Sequence, residues 1–306
     1  MQSDNTAAFL TESDWEARRQ TEVSRWCEEA RSLESTPDAV AFAQALASAS
    51  TESIRQIPAA ARESLVLCGD PDFPRGKLVA RLEKDPMLVQ ALLRTSNSAA
   101  VSTGSRAILR LDEALARLGL AITRSVVLAC CVEGLFSRPG EPYEAMVGDI
   151  WKHMVRTGQI ARAIAPSFGA NSEEAFAIAL LHDVGKLLVF DQISELRSKL
   201  RRQVVVPTPF LHALLQSVHE PLGALAALRW QMGPLAAQAM GAHHRRESDP
   251  VRDPLTETIY AAERIDHLVR RGEPLYLELM WEHGKLSGDL ARVRGIVEQM
   301  FPAKAA

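Results

Sequence analysis

Apolar residues recur every three or four positions along most of the chain, and runs in which β-branched and polar residues alternate are few. This spacing matches the 3.6-residue turn of an α-helix rather than the two-residue repeat of a strand. In one segment, Ile150, His153, Thr157, Ile160 and Ile164 follow each other at these steps and form one inward-facing stripe. The pattern therefore predicts an all-α fold that needs no sheet.

Local start and stop signals divide the first half of the chain into predicted helices. Asp38 and Asp85 occupy positions typical of N-cap residues, and Pro86 follows at the first helical position. Gly119 stands where a glycine closes the preceding helix. These signals predict helices over residues 12–34, 38–49, 78–82, 87–94, 107–118 and 122–136.

The second half is predicted to be helical as well. Residues 137–142, with the sequence SRPGEP, concentrate turn-forming residues and predict the connection between two helical parts of the chain. The predicted helices beyond it cover residues 143–165, 172–190, 194–202, 209–218, 220–231, 234–243, 253–270, 274–283 and 287–300.

Composition and charge narrow the class of protein. Hydrophobic residues make up 47% and charged residues 24% of 306 residues, so the chain can bury a sizeable core. With 38 acidic and 35 basic residues, the net charge of −3 gives no general attraction to nucleic acid or to an anionic membrane. The longest apolar runs, such as residues 126–132, end after seven residues, whereas a membrane span needs about 20. The first fifteen residues lack an apolar targeting segment, and we expect a cytoplasmic protein.

Histidines of the second half form the candidate chemical site. They occur in the order His153, His182 followed by Asp183, His219, and His243 followed by His244. Buried imidazole and carboxylate groups are costly unless they pair, hydrogen-bond or bind a cation. Two interpretations remain open. One is a divalent transition metal that activates water for hydrolysis. The other is a neutral hydrogen-bonded cluster that holds the helices in register, with Lys186 neutralising Asp183.

Several ordered motifs resemble a known family. Residues 180–187, LLHDVGKL, resemble the HD-x-G-K helix of the HD phosphohydrolase superfamily. Three further stretches are similar to its signalling branch, the HDOD (HD-related output domain) family. They are residues 82–99 ("DP-x-L…LLR-x-x-NSA"), 114–119 ("A-x-x-x-LG") and 219–244 ("H-x-x-x-G…W…P…HH"). The resemblance covers about residues 53–270.

The resemblance implies an architecture. It predicts two abutting all-α subdomains, the C-terminal one an HD-like helical bundle, in a bacterial protein of signal transduction. On this basis we divide the chain into four parts, which are an N-terminal helical arm (1–50), an N-terminal HDOD subdomain (51–138), an HD-like subdomain (139–272) and a C-terminal helical extension (273–306).

The resemblance also implies a set of site residues. Matched position by position, the candidate metal ligands are His153, His182, Asp183, His219, His243, Glu263 and Asp266. Lys186 corresponds to a lysine that meets phosphate. Glu263 stands where an HD enzyme has its last aspartate ligand, and its longer arm moves the carboxylate. Residues 245–247, RRE, replace the Gly-Tyr-Pro that marks cyclic di-GMP hydrolases after the double histidine, which argues against that activity.

Two functions are consistent with these features. The preferred one is a regulator that acts by contact with a signalling protein, with the histidine and aspartate cluster as a structural core or as a metal or ligand sensor. The alternative is a metal-dependent phosphohydrolase or phosphodiesterase in which Lys186 acts in catalysis. The cofactor is a divalent transition metal, or none. Basic residues at 197–202 and 245–246 offer contacts to a phosphate-bearing small ligand. We expect no membrane or nucleic-acid partner.

Overall fold

The computed structural model describes residues 9–32, 36–56, 75–98, 106–136, 143–244 and 253–302. All regular elements within these ranges are helical, which confirms the all-α prediction. None of the described helices combines the length and the apolar character that crossing a membrane requires. The α-helices are α1 (Glu12–Ser32), α2 (Pro37–Ser48), α3 (Arg75–Leu82), α4 (Pro86–Ser96), α5 (Leu111–Phe136), α6 (Glu144–Ile164), α7 (Ser172–Leu181), α8 (Val184–Leu200), α9 (Thr208–Arg229), α10 (Pro234–Gly241), α11 (Pro254–Arg271), α12 (Leu277–Gly284) and α13 (Leu290–Met300).

The chain forms two compact units, one of residues 1–54 with 138–306 and the other of residues 55–137. Residues of the predicted N-terminal arm and of the C-terminal extension thus belong to the same unit as the HD-like part. The four-part division by sequence stays a prediction. The predicted connection at 137–142 and the basic residues 245–246 lie outside the described residues.

Helices α3, α4 and α5 make the described part of the smaller unit. Asp85 caps α4, since its Oδ1 accepts from the backbone amides of Met87 (2.9 Å) and Leu88 (3.3 Å), and Pro86 takes the first helical position. This cap was predicted from the sequence.

Gly119 interrupts α5 with φ +71°, a conformation that glycine adopts without strain. The core of this unit is made of Leu78, Leu82, Leu88, Leu92, Leu111, Leu115, Leu118 and Val127.

Asn97 holds the end of α4 to the chain that enters α5. Its side-chain amide donates to the carbonyls of Leu93 (3.0 Å) and Ile108 (2.8 Å). Its Oδ1 accepts from the amide of Ile108 at 2.8 Å. One side chain therefore satisfies backbone groups of two segments, which fixes the connection between them.

In the larger unit, α6 packs against α7 and α11, and α9 packs against α8 and α10. Helix α1 contacts α2 and α9, and α2 contacts α8. The large apolar side chains that fill this region come from helices distant in sequence. Among them are Val23, Phe42, Leu46, Phe190, Phe210 and Leu214.

The predicted helices 172–190 and 194–202 have the wrong boundary between them. The helix break falls at His182 and Asp183, and α8 then runs without interruption from Val184 to Leu200. Almost every side chain from 175 to 194 is buried, so the period of the apolar positions carries no information about where one helix ends. At the break, the carbonyl of Asp183 accepts from the amide of Lys186 at 2.9 Å.

Two further local predictions are corrected. Residues 209–218 and 220–231 are not separate helices, because α9 continues through Pro221, a residue that normally ends or kinks a helix. Asp38 is not the cap of α2, which begins at Pro37 after Thr36. Its carboxylate instead accepts from the amide of Val205 (2.8 Å) and pairs with Arg202 (2.7 Å), so it ties α2 to the chain between α8 and α9.

The C-terminal helices are anchored to the same unit by polar contacts. Glu257 of α11 accepts from the amide and hydroxyl of Ser287 at 2.7 and 2.8 Å. The amide of Asp289 donates to the carbonyl of Ser167 at 2.8 Å. The Trp281 indole donates to the carbonyl of Gly288 at 2.7 Å, and its ring lies beside that of Phe168. These contacts hold α12 and α13 against α11 and the end of α6.

Candidate metal centre

The junction between α7 and α8 places an imidazole and a carboxylate side by side in the core. His182 ends α7 and Asp183 begins α8, and both side chains are fully buried. Lys186, one turn further on, pairs with Oδ2 of Asp183 at 2.6 Å. Burial alone would raise the pKa of the Asp183 carboxyl, but the Lys186 ammonium and the surrounding imidazoles lower it well below its usual value. Asp183 is therefore an ionised carboxylate inside the helical bundle.

Four imidazoles from four helical segments converge on Asp183. The Nε2 atoms of His153 and His182 each lie 3.6 Å from Oδ2. The Nε2 atoms of His219 and His243 lie 3.6 and 3.7 Å from Oδ1. All four rings are at least 97% buried, since the exposed fraction of His153 is 3% and that of the others is zero. Residues separated by up to 90 positions in the sequence thus meet around one carboxylate.

Hydrogen bonds on the far side of each ring define its tautomer. A carbonyl or carboxylate oxygen only accepts, so the Nδ1 atom that bonds to it carries the hydrogen and Nε2 is left with a lone pair. The four Nδ1 acceptors are Ala179 O for His182 (2.6 Å), Leu215 O for His219 (2.7 Å), Met240 O for His243 (2.8 Å) and Asp266 Oδ2 for His153 (2.6 Å).

The Nε2 atoms consequently face each other without a hydrogen between them. The distance is 3.2 Å between His153 and His182 and also 3.2 Å between His219 and His243. Oδ1 of Asp183 has no hydrogen-bond partner among the described side chains. Burial lowers the pKa of His182 to about 3 and those of His219 and His243 well below the usual value, so protons do not fill these gaps at neutral pH. Imidazole lone pairs beside an ionised carboxylate, as in the group of His153, His182 and Asp183, are a donor set that fits a divalent cation.

Helix α11 supplies two carboxylates with different positions. Glu263 Oε1 lies 3.3 Å from Nδ1 of His244 and 3.9 Å from Nε2 of His267, and Glu263 forms with His182 and His243 a group able to hold a metal ion. Burial, followed by the negative charge of Asp183, raises the pKa of Glu263 well above its ordinary value. Burial of the Glu263 carboxyl therefore favours its protonated form.

Asp266 lies behind the cluster rather than in it. Its Oδ2 accepts from Nδ1 of His153, and its Oδ1 accepts from Nε of Arg156 at 2.7 Å. The side chain therefore contacts the ring of His153 on the side opposite to the lone pair. A carboxylate in this position orients a metal-ligating histidine and fixes its tautomer.

Two histidines join the site that were not among the candidate ligands. Nε2 of His244 lies 2.9 Å from Nε2 of His219, and these two form a further ligand group with His243. His267 forms another group with His153 and Glu263. Position 267 is one turn after Glu263 on the same helix, and this spacing was the available sequence signal. His244 and His267 are 29% and 34% exposed, so the cluster reaches solvent at this edge.

The family model of the HDOD domain, a description of the sequences of that family, matches residues 54–246, close to two thirds of the chain. The chain belongs to the HDOD family. Solved structures with the same fold include a candidate phosphohydrolase from Shewanella amazonensis SB2B, which is 22% identical, covers 85% of this chain and 94% of its own, and has a TM-score of 0.63. An HDOD domain protein of unknown function from Geobacter sulfurreducens is 18% identical, with 94% and 99% coverage and a TM-score of 0.61.

A third similar structure is a candidate signal transduction protein from Marinobacter aquaeolei VT8. It is 15% identical, covers 97% of this chain but 65% of its own length, and has a TM-score of 0.60. A search of curated proteins gave no match. At these identities, the solved structures establish the fold that the chain shares with them.

The geometry explains one glycine of the HDOD motifs. A Cβ on Gly185, in the HD-x-G-K segment, would overlap the backbone oxygen of His219 and lie 2.8 Å from its Cα. A Cβ on Gly223 would make only an ordinary contact of 3.4 Å with the backbone oxygen of His182. Glycine at position 185 thus allows the start of α8 to approach α9 closely enough to bring Asp183 and His219 together.

Proposed function

We propose that this HDOD protein is a bacterial signalling regulator whose histidine and aspartate cluster binds a divalent transition metal and whose output is a contact with another signalling protein. The observation that carries the proposal is the convergence of four imidazole lone pairs on the ionised Asp183. Within the cluster, His153, His182 and Asp183 form one group able to hold a metal ion. His182, His243 and Glu263 form another, and His219 and His243 form a third with His244. Asp266 orients His153 from behind.

A metal accounts for the cluster better than a hydrogen-bonded core does. In a hydrogen-bonded core of neutral histidines, one imidazole of each neighbouring pair would point its N–H at the lone pair of the second imidazole. Here every Nδ1 hydrogen is already donated outward, so neighbouring Nε2 atoms such as those of His219 and His243 can only repel each other. Imidazole nitrogens with a carboxylate oxygen suit zinc, iron, nickel or copper ions.

The regulatory role follows from the depth of the site. Asp183 and three of its histidine neighbours are completely buried, so a change in metal occupancy alters contacts among α7, α8, α9 and α10 rather than on the surface. Such a change reaches a partner through the arrangement of those helices. The candidate signal transduction protein from Marinobacter aquaeolei VT8 has the same fold, which supports this role.

A second candidate function is a metal-dependent phosphohydrolase, and the solvent edge of the cluster favours it. His244, His267 and Arg156 are each about one third exposed, so an anion can approach from that side. The Arg156 guanidinium and the Lys186 ammonium would hold the phosphate, while His153, His182, Asp183 and Glu263 would hold the metal. The metal, when bound, supplies a Lewis acid for the phosphoryl group.

Metal analysis combined with a hydrolysis screen separates these functions. The protein is purified without added metal, its metal content is measured, and it is tested on nucleotides and cyclic dinucleotides beside Asp183→Ala. Bound metal that is lost in Asp183→Ala, without turnover, supports the regulator. Turnover that is also lost in the variant supports the hydrolase. Absence of metal even after incubation with zinc, iron or manganese overturns both.

A further inference from the structure

Helix α1 contacts the helices that carry one side of the histidine cluster. Its inward face is made of Trp15, Arg19, Val23 and Ala30, all buried, while most of its other charged side chains are exposed. It packs against α9, which carries His219, and against α2. The contacts of its two tryptophans fall close to His219 and His243.

Trp15 occupies the space beside the end of α10. A Cβ on Gly241 would overlap the Trp15 ring, with its Cζ2 at 2.8 Å, so the indole lies directly on the backbone of Gly241. This glycine is the last residue of α10 and precedes His243 by two positions. The preceding carbonyl, that of Met240, accepts the Nδ1 hydrogen that orients His243. The Trp15 ring therefore supports the turn that aims His243 at Asp183.

Trp26 makes the corresponding contact with α9. Its indole N–H donates to the hydroxyl of Ser217 at 2.5 Å, and its ring meets that of Phe210 edge to face at 5.3 Å between centroids. Ser217 precedes His219 by two positions, in the turn whose Leu215 carbonyl accepts the Nδ1 hydrogen of His219. The two tryptophans thus contact α10 and α9 within one turn of His243 and His219.

We propose that α1 positions the His219 and His243 side of the cluster, with Trp15 and Trp26 as the positioning residues, so that undocking of α1 loosens these two histidines and leaves His153 and His182 in place. The cluster has two sides that share Asp183, one on each carboxylate oxygen. Helix α1 contacts the backbone segments that carry the Oδ1 side. This proposal deepens the proposed function by giving α1 control over one half of the site.

The packing of α1 is suited to reversible docking. The Trp15 indole N–H is buried without a hydrogen-bond partner among the described residues, and so are both amide atoms of Gln238, one turn before Gly241. Buried polar groups without partners weaken the docking that apolar burial favours. Arg19 ties α1 to the end of α2, since it donates to the carbonyls of Leu46 (2.9 Å) and Ala49 (3.0 Å). Undocking of α1 would be a local event rather than global unfolding.

Histidine labelling in the full-length protein tests the proposal without any metal. Apo-protein is treated with diethyl pyrocarbonate, and the rate of modification of each histidine is measured by tandem mass spectrometry. In Trp15→Ala, His219 and His243 should be labelled roughly tenfold faster or more, because opening limits the labelling of a buried group. His153 and His182 should keep their wild-type rates.

Two further variants separate positioning from general destabilisation. Ser217→Ala removes the hydrogen bond from Trp26, together with the one that the Ser217 hydroxyl donates to the Leu214 carbonyl within α9. It should raise the labelling rate of His219 selectively, by a smaller factor than Trp15→Ala. Trp281→Ala deletes a buried indole of α12 that packs on Phe168, and it should not favour His219 and His243 over His153 and His182. The proposal is overturned if Trp15→Ala raises the labelling rates of all four histidines equally. It is also overturned if neither Trp15→Ala nor Ser217→Ala raises any of these rates.

A zinc titration links the same variants to the proposed function. Zinc should slow amide hydrogen exchange in α1 of the wild type, since a ligand that is bound better with α1 docked must stabilise the docking in return. If the wild type binds neither zinc nor any of the other divalent metals tested, the proposed function fails, while the labelling rates still decide the role of α1. If zinc binds but exchange in α1 is unchanged and labelling is unselective, the proposal about α1 fails alone.

Discussion

Gly185 lies so close to His219 that a Cβ at position 185 would overlap the backbone oxygen of residue 219. This contact joins the first turn of α8 to α9 and sets the separation between Asp183 and the imidazole of His219. The cluster therefore depends on a glycine, although this residue has no side chain that could bind a metal or donate a hydrogen bond. A side chain at position 185 must displace the backbone, because the atoms of His219 that it would meet are backbone atoms and not the end of a flexible side chain.

Gly185→Ala should destabilise the protein by about 3 kcal/mol or more, since an overpacked core contact between backbones cannot relax cheaply. The matched control is Gly148→Ala in α6, where a Cβ meets nothing within 4 Å. That control should gain about 0.5–1 kcal/mol from the better helix propensity of alanine. Urea unfolding measures both. Equal stability of the two variants would contradict the close approach of α8 and α9.

Asp266→Asn should weaken metal binding about 10–100-fold without abolishing it, because Asp266 orients His153 from behind. Isothermal titration with zinc measures the change. Asp149→Asn is the control, since Asp149 lies on the same helix as His153 but forms only an exposed pair with Lys152. Unchanged affinity in Asp266→Asn would remove its orienting role. Complete loss of binding would instead indicate that Asp266 is itself a ligand.

The apo-protein should lose stability as the pH falls below about 6.5. Burial lowers the pKa of His182 to about 3, and those of His219 and His243 fall well below the usual value. Below about pH 6.5 the unfolded chain therefore binds protons that the folded chain excludes, so stability rises with pH by roughly 1.4 kcal/mol per unit for each such histidine. Above its ordinary pKa of 4.5, the raised pKa of Glu263 acts in the opposite direction and partly offsets this slope.

Urea unfolding at a series of pH values between 4 and 6, with a chelator present, measures this slope. His182→Asn should reduce it by about one proton, since asparagine can still donate to the Ala179 carbonyl but does not titrate. The exposed His212 provides the control, and His212→Asn should leave the slope as in the wild type. A slope that does not change in His182→Asn would mean that His182 is not held as a buried neutral imidazole.

The sequence was sufficient for the fold class and for part of the site. The 3.6-residue period predicted the helices, and local signals such as Asp85–Pro86 and Gly119 predicted where some of them begin and end. The break at His182 and Asp183 was missed because nearly every neighbouring side chain is buried, which removes the periodic signal. Close tertiary approaches such as that of Gly185 to His219 also leave no mark on the local sequence pattern.

The candidate ligands came from resemblance to a family, and the structure adds what spacing could not provide. Glu263 and Asp266 lie three residues apart on α11, and only the three-dimensional arrangement separates a carboxylate within the cluster from one behind His153. His267 was missed because a histidine one turn beyond Glu263 is equally typical of a partly exposed helix face. The tautomers of the four imidazoles follow from the carbonyl oxygens that they meet, which depend on the fold of each helix end.

The most direct test of the metal centre is an anomalous difference map from crystals of the wild-type protein grown with zinc. We expect an anomalous peak beside Asp183, about 2.0–2.1 Å from the Nε2 atoms of the histidines that bind it, with each Nδ1 still bonded to its carbonyl or carboxylate partner. No peak at this position, with the Nε2 atoms of His219 and His243 hydrogen-bonded to each other or to water, would contradict the account.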